Sequence, residues 1–422
     1  MDHPPTRPTF PRQVWPILLI LGVLVLLPVA QSFEAPFAVA AIAGVVLAWR
    51  GKRELAGNEG VRVACLLFAC YWLPALISAP GSLAPKQESW KTVGILLRFL
   101  PFAVFACLTL RDTRNWPRVI QAIAAIVMLW LIDAWVQALT GYGIAGAAEK
   151  ERLSGIFGAG NLKLGPALAV LSPFVLVEAR EIWVRRGLVI AFVFLLGPIL
   201  LSGERAAWLI YALVTGVFLW RETRALLPFF LCGIGLTALF ACVVAVALHT
   251  STRFDARVER SLKVLQGSAQ SMDEATAGRT SRIWPTAWRM AVAHPINGVG
   301  VRAFRYAYPQ FAGPNDAFVN AQTDEGAFHA HQIVLEVLSE TGLIGLAFWI
   351  AGAFFALRAW WRASASARER ALAPALALAV MTFPVNTHLA FYSAFWGLLF
   401  WWLLALYCAS ITAIDREATD AT

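Results

Sequence analysis

Twelve apolar runs of roughly membrane-crossing length dominate this chain, and they leave it one class of solution. In hydrocarbon every backbone N–H and C=O must be satisfied within the segment that carries it, so such runs fold as helices. A spanning helix needs roughly 20 apolar residues. The runs are Val14–Ala30, Ala35–Trp49, Val61–Ile77, Thr92–Leu110, Trp116–Leu139, Leu164–Val177, Leu188–Leu201, Ala206–Trp220, Leu226–Leu248, Ile333–Leu357, Ala371–Val385 and Tyr392–Ile414. The shorter ones fit a bundle in which they tilt beside neighbours or cross a thin region. With 59% hydrophobic and only 14% charged residues, the composition excludes a soluble domain of this length. The expectation is an all-α polytopic membrane protein, a single domain over residues 1–422. Arg7 and Arg12 precede the first run as in a secretory signal, but no small-x-small cleavage site follows, so that run reads as an uncleaved span.

Basic residues set the orientation. With the N-terminus inside, the inner connections hold Arg50, Lys52, Arg53 and Arg62; Arg111, Arg114 and Arg118; Arg180, Arg185 and Arg186; Arg221 and Arg224; and Arg358, Arg362, Arg368 and Arg370. The short outer connections hold only Lys86, Lys91, Lys150, Arg152, Lys163 and Arg205. This alternation places both termini in the cytoplasm and the one long polar stretch, residues 249–332 between the ninth and tenth runs, outside. The net charge of +9 is then mostly topology, scattered over separate short loops, and no nucleic-acid partner is implied. All six cysteines fall inside apolar runs, which implies neither a disulfide framework nor a thiolate metal site.

Within the outer stretch, Ser251–Leu265 spaces Phe254, Val258, Leu262 and Leu265 between Arg253, Arg257, Arg260 and Lys263, the pattern of a basic amphipathic helix lying on membrane lipid headgroups. Gly267–Gly278 reads as a connection. Thr280–Ala293 reads as a second helix, with Ile283, Trp284, Ala287, Trp288 and Ala291 on one stripe and His294-Pro295 as its stop. Gly298-Val299-Gly300 reads as a tight turn, and Gly313–Ala327 as a substrate-facing loop or lid. The stretch closes with His329-Ala330-His331-Gln332, directly before the next apolar helix.

Four segments carry a family resemblance. They are Gly278-Arg279-Thr280-Ser281-Arg282-Ile283-Trp284, His294-Pro295-Ile296-Asn297-Gly298-Val299-Gly300-Val301-Arg302-Ala303-Phe304, His331-Gln332-Ile333-Val334-Leu335-Glu336, and Glu340-Thr341-Gly342-Leu343-Ile344-Gly345. Together they resemble the O-antigen ligases of lipopolysaccharide assembly, whose signature region is shared with O-antigen polymerases and protein O-oligosaccharyltransferases. The resemblance implies a GT-C-like glycosyltransferase in the bacterial inner membrane. Its donor would be an undecaprenyl diphosphate-linked glycan, its acceptor a hydroxyl of lipid A-core, and its active site periplasmic. It implies no cofactor.

No ATP is available on that side, so such a reaction draws on the glycosyl phosphate bond. It needs cations for the diphosphate leaving group, help in deprotonating the acceptor, and a hydrophobic groove for the carrier. The resemblance makes His331 the general base, with His329 as its close competitor; an imidazole of ordinary pKa near ~6.5 accepts a proton at neutral pH. The family position usually reads His-Asn, and Gln332 keeps a side-chain amide with a different reach. The alternative for His331 is a helix-capping or structural role.

Arg205 matches the family arginine that opens a helix and is expected on the diphosphate, against the alternative that it snorkels or pairs with Glu204. Arg279 matches the arginine before the tryptophan-bearing helix. The usual spacing to that tryptophan is one shorter, so Arg282 is the alternative. Guanidinium forks suit phosphate oxygens. Arg302, inside the second quoted segment, is a further candidate.

Two charges stand within apolar runs, where they are costly. Arg98 and Asp133 each lie about seven residues, roughly 10 Å, from the outer end of their helices. They suit a mutual ion pair, or Arg98 faces a phosphate-lined cavity. No compact outer carboxylate cluster is visible beyond Asp273-Glu274 and Asp324-Glu325, so arginines rather than a divalent metal are expected at the diphosphate. Polymerase or protein oligosaccharyltransferase activity is the runner-up, and Arg289 with Gly300 fits a spacing quoted for polymerases. A lipid-linked glycan flippase ranks lower, since neither inverted repeats nor broken helices show in the sequence. A scaffold role leaves the His331 segment unexplained.

Overall fold

The computed structural model describes residues 15–51, 55, 57–148, 152–250, 278–319, 327–384, 386 and 390–414. Outside these lie the expected basic helix Ser251–Leu265, nearly all of the Gly267–Gly278 connection, both outer carboxylate pairs, and Arg7, Arg12, Lys52, Arg53 and Lys150.

Among the described residues, each of the twelve apolar runs falls mainly on helix. The helices are α1 (Trp15–Leu26), α2 (Glu34–Arg50), α3 (Glu59–Ser78), α4 (Lys86–Leu96), α5 (Phe99–Thr109), α6 (Trp116–Thr140), α7 (Leu164–Leu201), α8 (Arg205–Thr223) and α9 (Leu226–Thr250). Then come α10 (Trp284–Ala293) and α11 (Phe304–Phe311) of the polar stretch, followed by α12 (Ile333–Arg362), α13 (Ala365–Met381) and α14 (Ala394–Ile411). Five helical stretches are long and apolar enough to cross a membrane: Glu59–Ser78, Gln87–Thr109, Thr113–Thr140, Ile333–Arg362 and Ala394–Ile411. Trp15–Leu26, Arg186–Leu201 and Leu226–Ala238 are apolar but shorter. The only strands among the described residues form a two-stranded ribbon, Tyr142–Gly143 against Gly146–Ala147.

The bundle is organised around α14, which is buried on all sides from Phe395 to Ile411, as a helix apolar around its whole circumference must be. Trp402 Nε1 donates to the Ile20 carbonyl at 2.9 Å and Tyr407 Oη to the Ala356 carbonyl at 2.7 Å, tying α14 to α1 and α12. Large apolar side chains such as Trp49, Leu139 and Leu227 lie exposed on the rim, the surface a bundle presents to hydrocarbon rather than to water. Side-chain oxygens of Asn58, Gln332, Ser364 and Ser393 accept from backbone N–H groups in the first turns of α3, α12, α13 and α14, satisfying donors that have no partner within the helix.

The sixth and seventh runs form one continuous helical stretch, α7, yet it doubles back. A methyl group placed on Gly165 would sit 2.0 Å from Ser202 Oγ, whereas a straight helix would separate those residues by roughly 55 Å. The bend lies where a methyl on Gly187 would meet the Ala179 carbonyl, in the polar stretch separating the two runs. Near it Arg180 pairs with Glu222, and Arg221 with Glu369. Three of the connections assigned to the inner side thus meet at one end of the bundle.

The fourth run is broken between α4 and α5, because Pro101 has no N–H to return to the Leu97 carbonyl. Arg98 sits at this break and its fork binds both carboxylate oxygens of Glu34, with Nη2 to Oε1 at 2.9 Å. It does not pair with Asp133. That carboxylate, buried in α6, accepts from the Ile144 N–H at 2.7 Å. One turn on, Gln137 Oε1 accepts from the Ser154 and Gly155 N–H groups at 3.0 and 2.7 Å. Asp133 is therefore a clamp for the connection after α6.

The tenth run also departs from expectation, because α12 is broken at Gly342, with φ 66° and ψ −162°. The reason lies in the glycine segment that crosses it. The chain turns at Pro295–Asn297, and residues 298–300 pass directly over the break instead of forming the expected tight turn. Val299 N–H donates to the Ser339 carbonyl at 2.8 Å, Gly300 N–H to Glu340 at 3.0 Å, and Leu343 N–H to Pro295 at 2.8 Å. Added methyls on Gly298 and Gly342 would lie 2.4 and 2.3 Å from facing backbone atoms. Only glycine permits that approach at positive φ. The family-like glycines are the steric condition for docking the polar stretch onto the bundle.

Candidate functional site

The polar stretch has its own small core, built from Ile283, Ala287, Met290, Val299, Phe304, Tyr308 and Ala330. The expected second helix begins as a five-residue π turn, Arg279–Ile283, and becomes α-helical at Trp284, where Pro285 suits a first turn. Arg289 is spent inside this unit, donating to the Phe311 carbonyl at 2.7 Å and to Thr286 Oγ1 at 2.8 Å. Of the expected lid, residues 313–319 fold over Asp316, which accepts from Tyr308 Oη and from the Phe318 N–H, both at 2.9 Å. Residues 320–326 are outside the described set.

Ala330, fully buried in this core, anchors the segment that carries both histidines. His331 takes a left-handed backbone, φ 54°, uncommon for a residue other than glycine and a mark of a position held by its surroundings. Its N–H donates to His329 Nδ1 at 3.2 Å, and the two ring centroids lie 3.9 Å apart. Glu336, 1% exposed, places Oε2 3.6 Å from His329 Nδ1 while its Oε1 accepts from the Phe391 N–H at 2.7 Å. The amide oxygen of Gln332 accepts from Leu335 N–H at 2.6 Å, so helix capping falls to Gln332 and not to His331.

Arg205 opens α8 just after Gly203, at φ 74°. Its neighbour Glu204 is buried and accepts from Arg152 Nη1 at 2.8 Å. Arg279 follows Gly278, at φ 77°, in the first position of the π turn. Burial lowers the Arg279 guanidinium from its ordinary value; the Glu204 charge opposes this, and Arg205 and Arg152 reinforce it. Glu204, Arg205 and Arg152 are thus each near enough to act on Arg279, although Arg279 is 74 residues beyond Arg205. Arg282 points into the exposed surface, and the geometry favours Arg279 of the two.

The remaining sequence candidates, Arg98 and Arg302, line a cavity of about 430 Å³ together with Lys91, Arg305, Glu34 and Glu88. Arg302 is also left-handed, φ 59°, and its N–H donates to Glu340 Oε2 at 2.8 Å. The Arg305 guanidinium lies 4.9 Å from the centre of the Phe328 ring. A second, apolar cavity of about 370 Å³ opens between α3, α12, α13 and α14, lined by Tyr71, Trp349, Trp360, Phe391 and Trp401 among others. Phe391 joins it to the histidines through Glu336. Among the described residues no three His, Cys, Asp or Glu side chains are placed to hold a metal ion.

Arg152, Lys91, Arg305 and Glu336 were not singled out from the sequence. Glu336 and Glu340 had a legible signal, since carboxylates one turn apart at the start of an apolar run are costly. The other three looked like ordinary loop charges.

No curated protein matches the chain. A family model described as O-antigen ligase matches residues 190–350, a segment that takes in Arg205, Arg279, Arg302, both histidines and the break at Gly342. The motif segments and this match point to one family, and residues 190–350 of the chain are similar to the O-antigen ligases.

Proposed function

We propose that this protein transfers a glycan from undecaprenyl diphosphate to a hydroxyl of lipid A-core, at the periplasmic face of the inner membrane. In this reading the chain crosses the membrane twelve times with both termini in the cytoplasm, and transfer needs no divalent metal. The observation that carries the reading is that Glu204, Arg205 and Arg152 all act on the charge of Arg279, so that three arginines and one carboxylate from three separate segments come together with a net positive charge, within the segment similar to the O-antigen ligases. The acceptor oxygen attacks the anomeric carbon, the bond from that carbon to the phosphate oxygen breaks, and its electron pair leaves with the diphosphate. The acceptor proton passes to the His331 imidazole. Arg205 and Arg279 stabilise charge that grows on the leaving group toward the transition state. His329 and Glu336 orient the His331 segment, and the apolar cavity beside Phe391 accommodates part of an isoprenoid chain. The test is the glycolipid profile of a deletion strain. Loss of glycan-capped lipid A-core with accumulation of long lipid-linked polymer is expected; loss of the polymer itself would reassign the protein as a polymerase.

A further inference from the structure

The 430 Å³ cavity is not accounted for by a single cationic cluster at the donor. It lies within the range of small-molecule sites, about 300–1,000 Å³, and is lined by four cationic and two carboxylate side chains. Glu34 already takes the Arg98 fork. Among the lining side chains, Lys91, Arg302 and Arg305 then face one remaining carboxylate, Glu88, with Glu340 behind the wall at the Arg302 N–H. The surplus of about two positive charges matches a phosphate monoester, which carries about −1.5 to −2 at neutral pH. Burial and the Arg302 charge disfavour the Arg305 cation more than Tyr306, Glu340 and Glu88 favour it, an imbalance that a bound anion relieves. Arg302 is held at the wall in a left-handed backbone, φ 59°.

Location decides which substrate such a phosphate belongs to. Phe318 accepts the Ala327 N–H at 3.3 Å and packs on Gly278, beside Arg279. The next residue, Phe328, packs on Arg305. The approach to His329 and His331 is therefore tied on one side to the arginines assigned to the donor and on the other to this cavity. Glu34, Glu88, Lys91 and Arg98 also precede the matched segment 190–350, so most of the cavity's charge is not part of what the family match describes.

We propose that this cavity binds a phosphate group on the sugar of the acceptor glycolipid, through Lys91, Arg98, Arg302 and Arg305. The assignment to the acceptor rests on the glycan-transfer reading. The test measures binding of acceptor glycolipid, with and without its phosphate, to purified protein in phosphatidylcholine nanodiscs without donor, with transfer assayed in parallel. Removing the phosphate should weaken binding about 10- to 100-fold, the worth of a charge-assisted hydrogen bond or two. Arg305→Gln and Lys91→Gln should weaken binding of the phosphorylated acceptor similarly, make phosphate removal nearly silent, and leave donor affinity unchanged. Arg305→Lys should recover part of the loss, which a folding defect would not.

Equal affinity of wild-type protein for both acceptors overturns the proposal. So does a loss in Arg305→Gln confined to donor affinity, or one seen only after phosphatidylglycerol is added and independent of the acceptor's phosphate; the latter would mean the cavity holds a bulk lipid headgroup. Phosphate-dependent binding without any transfer would leave the cavity's ligand standing and remove the glycan-transfer reading.

Discussion

Gly298→Ala tests whether the glycine segment positions the site by steric necessity. The residue sits at φ 66°, and its new methyl would lie 2.4 Å from the Glu340 carbonyl carbon and 2.5 Å from Thr341 N, where ordinary contact is 3.4–4 Å. The left-handed backbone alone costs an L-residue roughly 1–2 kcal/mol. The clash is with backbone, so the two segments must separate by about an ångström. That lengthens the Val299-to-Ser339 and Gly300-to-Glu340 hydrogen bonds, now 2.8 and 3.0 Å, each worth about 1 kcal/mol. The sum is a loss of about 3–4 kcal/mol, and the displacement carries Arg302 away from Glu340. Thermal unfolding followed by tryptophan fluorescence in detergent should show a clearly lowered midpoint, with reduced transfer in the fraction still folded. Gly313→Ala is the control, since its methyl meets nothing within 4 Å, and it should stay within about 0.5 kcal/mol of wild type. Wild-type stability and activity in Gly298→Ala would mean that the 298–300 segment does not need glycine to dock on the Gly342 break.

Arg205→Ala and Arg279→Ala should each weaken donor binding and slow single-turnover transfer, with Arg→Lys restoring only part because a point charge cannot reproduce the fork; unchanged donor affinity and rate in both would reduce these arginines to interface residues. Transfer by purified protein in EDTA should match the untreated rate, and strict dependence on added Mg²⁺ or Mn²⁺ would bring Glu34, Asp324 and Glu325 back as ligands. In intact cells with the outer membrane permeabilised, a membrane-impermeant thiol reagent should label Ser281→Cys and spare Ser366→Cys, both at exposed positions; the reverse pattern would discard the assigned sidedness.

Helix positions were legible in the sequence because a run of apolar residues in hydrocarbon has one way to satisfy its backbone. What happens inside and between those helices depends on contacts that periodicity does not record. The break at Gly342 is invisible without the 298–300 segment that crosses it, and the partner of Arg98 is Glu34, 64 residues away, rather than the charge at matching depth. Asp133 shows the limit of pairing charges by depth, since its partner is a backbone N–H in the next connection. Among site residues, the histidine segment was found by motif, and Arg279 was separated from Arg282 only by burial. Lys91 and Arg305 carried no signal, because a lone cation near a membrane surface looks the same whether it faces water or a cavity.

The central claim is that His331 takes the acceptor's proton in a reaction whose donor is held elsewhere. Single-turnover transfer from undecaprenyl diphosphate-linked glycan to lipid A-core, measured beside donor affinity for wild type and His331→Ala in nanodiscs, tests it most directly. The expected result is a rate lowered by about 10²–10⁴ with donor affinity retained. Full activity in His331→Ala, with the loss appearing instead in His329→Ala, would contradict it.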